Sequence, residues 1–287
     1  MTAIFKREFR SYFNGTIGCL FIAVLLAFTG VFVTNYNLAG GYAAFEYSLE
    51  STVIVFLLAV PILTMRSMVE DKRLKTDKLL YSLPIKMSSV IIGKYLAMVA
   101  VLAVPTLILA FYPLILSAFG TINFAVSYAC ILAFFLLGAA LIAVCMFLSS
   151  LAENQIVAAI IGFASVLVLY MAKSLASMIP ETAVVSLLCM IAVEALVALA
   201  AYFLTKNLPF SCGIGTGLAG ATLIVFFMQH DAFVGLFPSI LSQLALFDRF
   251  NSFTYGLLSL PTLIVYLSVS VFFVALTILG AEKKRWN

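Results

Sequence analysis

The chain has 287 residues, of which 64% are hydrophobic and only 10% charged, and its formal net charge is +4. A soluble domain carries roughly a quarter of its residues as charged side chains, so this composition excludes one and points to an integral membrane protein built of helices. Five cysteines, Cys19, Cys130, Cys145, Cys189 and Cys212, lie in or beside apolar runs without CxxC spacing; that excludes a disulfide framework and reads as packing.

In chain order, residues 1–14 put Phe5, Phe9, Tyr12 and Phe13 on one helical face and Lys6, Arg7, Arg10 and Asn14 on the other. This pattern predicts an amphipathic interfacial helix at the inner leaflet. The competing reading is an irregular start to the first span, because the apolar run opens only at Thr16. Span one is predicted over residues 16–35. Residues 36–50 carry Glu46 and Glu50 but no Lys or Arg, which places them outside. Span two, residues 51–68, contains Pro61 and is expected to kink there.

Residues 66–94 form the longest polar interruption, with seven of the sixteen basic residues: Arg66, Lys72, Arg73, Lys75, Lys78, Lys86 and Lys94. Three acids, Glu70, Asp71 and Asp77, sit among them. A basic loop between two spans belongs on the cytoplasmic side. Inside it, Thr76 is a good N-cap, Asp77 places a negative charge in the first turn and Pro84 is a stop signal. Leu79, Leu80 and Leu83 then share a face with Thr76. A helix of about two turns is not stable alone, so this face needs a surface, either lipid headgroups, the protein's own spans or a soluble partner.

Spans three and four are predicted over residues 90–118 and 125–148, with an uncharged external turn between them. Residues 149–155 form a short internal loop, and Asn154 and Gln155 open span five, residues 156–178, either as a helix cap, the preferred reading, or as the lining of an inner gate. Residues 183–205 read as a further span. Residues 213–228 are only 16 long, marginal against the ~20 that a straight crossing needs. Residues 229–260 form an external amphipathic region with Phe237, Ile240, Leu241 and Leu244 on one stripe, ending at Asp248 and Arg249. The last span covers residues 261–280. The basic residues of the N-terminus, the 66–94 segment, Lys206 and Lys283 to Arg285 then fall inside, leaving Lys173 and Arg249 near the outer side. Both termini are inside and the span count is even. Eight spans is the preferred count, with six plus a re-entrant hairpin over residues 183–228 as the alternative. The whole chain, residues 1–287, is expected to form one transmembrane domain, with an interfacial helix (1–14), a coupling loop (66–89) and an external amphipathic region (229–260).

Residues with chemistry are few. No GxxxxGK[ST], HExxH or GxSxG occurs, so ATP hydrolysis, zinc proteolysis and nucleophile-elbow chemistry have no motif here. The run GIGTGLAG, Gly213 to Gly220, lacks the lysine of a phosphate loop and reads as close helix packing through Gly213 and Gly217. His230, the single histidine, has no ligand-spaced Cys or Glu. Glu194 is the one acid deep in a predicted span. It is either a substrate or proton contact, or a protonated acid bonded within the bundle.

The run Pro61 to Ala97, PILTMRSMVEDKRLKTDKLLYSLPIKMSSVIIGKYLA, resembles the loop after the second span of ABC-2-type transporter permeases. The matching residues are Glu70 and Asp71, the Lys75–Thr76 step, Leu79 and Leu80, Pro84, and Gly93–Lys94. Ser149 to Phe163 and Phe247 to Trp286 are similar to the gliding-motility branch of that family. Lys75 stands where many relatives have Gly, and residues 183–228 do not match the six-span pattern. The resemblance implies a non-catalytic permease subunit of an exporter in the cytoplasmic membrane of a bacterium. It implies a separate ABC ATPase that holds ATP and Mg and docks on Glu70, Asp71, Lys75, Thr76, Leu79, Leu80, Leu83 and Pro84, and on the helix carrying Phe5, Phe9, Tyr12 and Phe13. It also implies a second permease chain, identical or related, contact with membrane lipid, an accessory external protein as a further partner, no cofactor in this chain and no nucleic acid. A secondary transporter is the alternative; it expects paired broken helices and charged midplane sites, for which only Glu194 speaks. A membrane-embedded enzyme lacks a paired nucleophile and base.

Overall fold

A computed structural model describes residues 2–73, 86–205, 208–228, 233–257 and 259–286. Lys75, Thr76, Asp77, Leu79, Leu80, Leu83 and Pro84, together with Lys206, His230 and Asp231, lie outside the described residues. The described residues are helical throughout, with no strand. In chain order the helices are α1 (Thr2–Asn14), α2 (Thr16–Val33, continued by a π-helical turn, Thr34–Ala39), α3 (Phe45–Val53), α4 (Phe56–Arg73), α5 (Met87–Leu109), α6 (Tyr112–Leu116), α7 (Phe124–Leu151), α8 (Gln155–Met178), α9 (Ala183–Thr205), α10 (Leu208–Met228), α11 (Leu236–Gln243), α12 (Leu246–Thr254) and α13 (Leu260–Trp286). They fall into two compact units, residues 1–170 with 246–287, and residues 171–245.

The larger unit is built round α7. This 28-residue helix is apolar on every side, and such a helix is stable only when surrounded. It packs against α3, α4, α5, α12 and α13. Phe134 meets Phe56 of α4 with ring centroids 4.5 Å apart. Leu137, Ala140, Leu141, Ile142 and Ala143 are fully buried. Gly138 lets the neighbours approach, since a Cβ there would stand 2.7 Å from Leu102 Cδ2 and 3.0 Å from Phe56 Cζ. Tyr266 Oη donates to Leu246 O at 2.9 Å and fastens α13 to α12. The outside is apolar as well, with Leu58, Leu107, Ile160 and Val271 all exposed, as helices surrounded by hydrocarbon require.

Five helices among the described residues are long and apolar enough to cross a bilayer, and α3 with α4, bent by 53°, adds a sixth if the pair is one span. The bend lies between Val53 and Phe56, not at Pro61. Pro61 sits in the second turn of α4, with Phe56 and Ala59 already helical before it, and short i−3 bonds such as Val55 N–H to Thr52 O close the break. The predicted external loop over residues 36–50 is also more ordered than expected. Asn37, buried, donates to Tyr42 O at 2.7 Å and Ala44 O at 3.1 Å and accepts from Ser48 Oγ at 2.6 Å. Glu46 is 5% exposed and accepts from Ser127 Oγ at 2.6 Å.

In the smaller unit α9 packs on α10 and α11. At 21 residues α10 exceeds the 16 expected, because Pro209 opens the helix instead of ending the loop before it; its length of about 31 Å matches a hydrocarbon core. The described apolar stretches of α9 and α10, Ala183–Ala195 and Gly215–Met228, are shorter. The packing glycine is Gly215, whose Cβ would lie 2.9 Å from Ala198 Cβ. Gly213 and Gly217 have nothing within 4 Å, which corrects the sequence reading: two residues of offset turn a helix by roughly 200° and put them on the other face. Of the cysteines, Cys130 and Cys145 pack in the core while Cys19 is exposed.

At the junction of α1 and α2 the two helices approach closely. A Cβ on Gly18 would meet the Tyr12 carbonyl oxygen at 2.5 Å and its carbon at 3.0 Å, backbone atoms that cannot rotate away. Gly18→Ala is therefore expected to lift α1 and cost about 1–3 kcal/mol, seen as a lower unfolding temperature of the purified protein in detergent.

Candidate functional site

α1 forms as a helix of its own, separate from α2, because the chain breaks at Gly15, whose N–H donates to Ser11 O at 3.0 Å while its backbone is extended. Phe5, Phe9 and Phe13 line one side, the first pair stacked and the second tilted, with centroids 5.8 and 4.8 Å apart. Lys6, Arg7 and Arg10 are exposed. Tyr12 does not rest in lipid. It is 6% exposed, and its hydroxyl donates to Leu63 O of α4 at 3.4 Å. Burial, aided by the charge of Glu8, pushes its phenol well above the usual range, so it docks α1 as a neutral group. The helix packs on α5 and α2.

Where α1, α4 and α5 meet, one ammonium joins all three. Lys94 of α5 is 3% exposed. Its Nζ donates to Ser67 O of α4, lies 2.7 Å from Asp71 Oδ2 one turn further along α4, and 3.7 Å from Glu8 Oε1 of α1. An unpaired ammonium in this setting would cost several kcal/mol. The two carboxylates and the carbonyl offset that cost, and the shorter distance makes Asp71 the stronger partner. Around this centre Arg66 holds Glu70 through Nε and Nη2 on the same face of α4, the second contact at 2.7 Å. Arg7 Nη2 donates to Glu8 Oε1 at 2.6 Å, a bond that raises the Arg7 guanidinium above its ordinary range. Lys72 donates to Ser150 O and Ala152 O at 2.6 and 2.7 Å, placing a cation on the carbonyl end of α7 where the helix dipole favours it.

Of the residues picked out by sequence, Asp71 and Lys94 are brought together and Glu70 is placed one step away with Arg66. Asp71 precedes residues 74–85 by three residues and Lys94 follows them by nine, so the helices on either side of that stretch are joined to each other. Glu8 was missed. Its signal is that it is the only acid among the first 45 residues. Lys72 was counted only as part of the basic loop. Asn154 caps α8 as expected, accepting from Val157 N–H at 2.8 Å. Glu194 sits apart in the smaller unit, where Thr222 Oγ1 lies 3.3 Å from its Oε2 and joins α9 to α10.

A family model described as ABC-2 family transporter protein matches residues 3–208. The chain belongs to the ABC-2 transporter family. The matched stretch runs from α1 into the start of α10 and includes every residue of the Lys94 cluster. No curated protein and no solved structure matches the chain. As an ABC-2 transporter protein it is a multi-pass, non-catalytic membrane subunit, the permease of an ABC transporter.

Breaking the cluster should be costly in a specific order. Asp71→Asn leaves Lys94 with its weaker partner and is expected to cost about 3 kcal/mol, the low end for orphaning a buried ion because Asp71 is itself partly exposed. Glu8→Gln should cost less. Lys94→Met combined with Asp71→Asn should cost less than the sum of the two single changes. Thermal unfolding of the four purified proteins gives the cycle; additive costs would show that the pair is not coupled.

Proposed function

We propose that this permease works as an exporter driven by a separate ABC ATPase, which binds ATP and Mg and docks on the segment around Thr76, Leu79, Leu80, Leu83 and Pro84. The observation that supports this reading is the Asp71–Lys94–Glu8 cluster at the base of that segment. Helices in hydrocarbon have no access to ATP, and a conformational change in one subunit shifts another only through contacts that differ between states. Because α4 and α5 are joined by Asp71 and Lys94, a push delivered between them reaches both helices together, and Glu8 extends the same connection to α1. The proposal includes a pair of permease chains facing the two ATPases. It places them in the cytoplasmic membrane of a bacterium, in the gliding-motility branch that residues 149–163 and 247–286 resemble.

Two measurements test it. Each fully buried leucine contributes roughly 1.5–3 kcal/mol, so Leu79→Asp with Leu80→Asp should weaken the ATPase complex by about 100-fold or more while membrane insertion stays normal. Pull-down at equal expression decides, and undiminished binding with undiminished transport sinks the coupling role. The orientation is tested by single cysteines in a cysteine-free background. The lengths of α9 and α10 support eight spans with both termini inside, so position 206 should be closed to an impermeant thiol reagent in intact cells and position 231 open. Labelling at 206 from outside would favour the six-span hairpin arrangement.

A further inference from the structure

We propose that the groove between α1 and the end of α4 is a binding site for the phosphodiester of an anionic phospholipid. The groove has a volume of about 670 Å³, within the range of small-molecule sites of ~300–1,000 Å³ and large enough for a headgroup as well as its phosphate. Lys6, Arg7, Arg10 and Arg66 line it, with Ser11 and Asn14 between them. The carboxylates of Glu8 and Glu70 match only two of these four cations, so the groove keeps a net positive charge that suits an anion.

Two of the four are already held in place. Arg66 spends Nε and Nη2 on Glu70, which leaves Nη1 to face the groove beside Gly15. A Cβ on Gly15 would stand 2.9 Å from that nitrogen, so the glycine keeps the edge open. Arg7 is held on Glu8 through one Nη2 contact. A guanidinium fixed on one edge by a carboxylate presents its remaining N–H groups with little further loss of freedom, and planar N–H pairs suit phosphate oxygens. Lys6 and Arg10 form no ion pair among the described residues and supply net positive charge. A lipid fits better than a free ion because of what adjoins the groove. Gly15 lines it and directly precedes α2, a helix long and apolar enough to cross a bilayer. A phosphate held at Gly15 thus stands where a basic amphipathic helix meets the headgroups beside a span. Bound there, the lipid would clip α1 to α4 beside the Lys94 cluster.

The choice of the inner leaflet rests on the inward orientation proposed above; the chemistry of the groove does not, and it can be measured without the ATPase. Native mass spectrometry of the purified permease in detergent, with phosphatidylglycerol and phosphatidylcholine supplied in equal amounts, should show retained phosphatidylglycerol. Lys6→Gln with Arg10→Gln, both exposed positions, should lower retention at least tenfold with an unchanged unfolding temperature. Arg73→Gln with Lys86→Gln removes the same charge at exposed positions outside the groove and should leave retention intact. Inorganic phosphate at matching concentration should not displace the lipid. Equal loss in both double variants would reduce the effect to overall surface charge. Equal retention of phosphatidylcholine would overturn selectivity for an anionic phospholipid, and displacement by inorganic phosphate would overturn a lipid as the occupant.

Discussion

A buried ammonium sets the geometry at one end of this protein. Lys94 reaches the interior near the start of α5, where no apolar side chain would need partners. Because charge in such a place is expensive unless matched, α4 must bring Asp71 and the Ser67 carbonyl to it, and α1 must bring Glu8. Three helices distant in sequence are held in register by that requirement. Dispersion and burial alone fix helix pairs less sharply, since apolar surfaces tolerate sliding with modest changes in contact. A charge cluster does not tolerate it, because moving one turn exchanges an ion pair for an orphaned ion.

The middle of the larger unit obeys a different rule. In hydrocarbon, burying apolar side chains against protein gains little over burying them in lipid, and close packing of small residues decides association. α7 answers with Gly138, Ala139, Ala140 and Ala143 amid larger neighbours. At the end opposite Lys94, polar fastenings return: Asn37 closes the turn before α3, and Glu46 takes a hydrogen bond from Ser127 at the start of α7. The unit is thus pinned by specific polar contacts at both ends, with a tightly packed apolar centre between.

Much of this was legible in the sequence. The apolar runs gave the helices; residues 183–205 match α9 end for end, and residues 156–178 match α8 to within one residue. Apolar periodicity survives into structure because the bilayer leaves the backbone few alternatives to a helix. Pairings between distant residues were not legible. Nothing in the local pattern said that Glu8 would meet Lys94 or that Glu46 would be buried, since an acid near a span end reads as solvated whether or not a partner waits for it. The bend at 54–55 was misplaced at Pro61, which lies inside α4 without breaking it, because a proline in the sequence marks a lost backbone bond but not whether the helix bends there. Gly213 and Gly217 were chosen over Gly215 because spacing alone does not say which face of α10 meets α9.

The 53° bend between α3 and α4 divides one crossing into two arms that are anchored separately. α3 is held by Glu46 on Ser127, and α4 by Asp71 on Lys94. The 18 residues of α4 form a lever of about 27 Å with its fulcrum near Val55. A tilt of about 5° there carries Arg73 sideways by about 2 Å, comparable to the helix shifts of known switching proteins. Such a tilt leaves the Glu46–Ser127 hydrogen bond of α3 in place, because that arm has an anchor of its own.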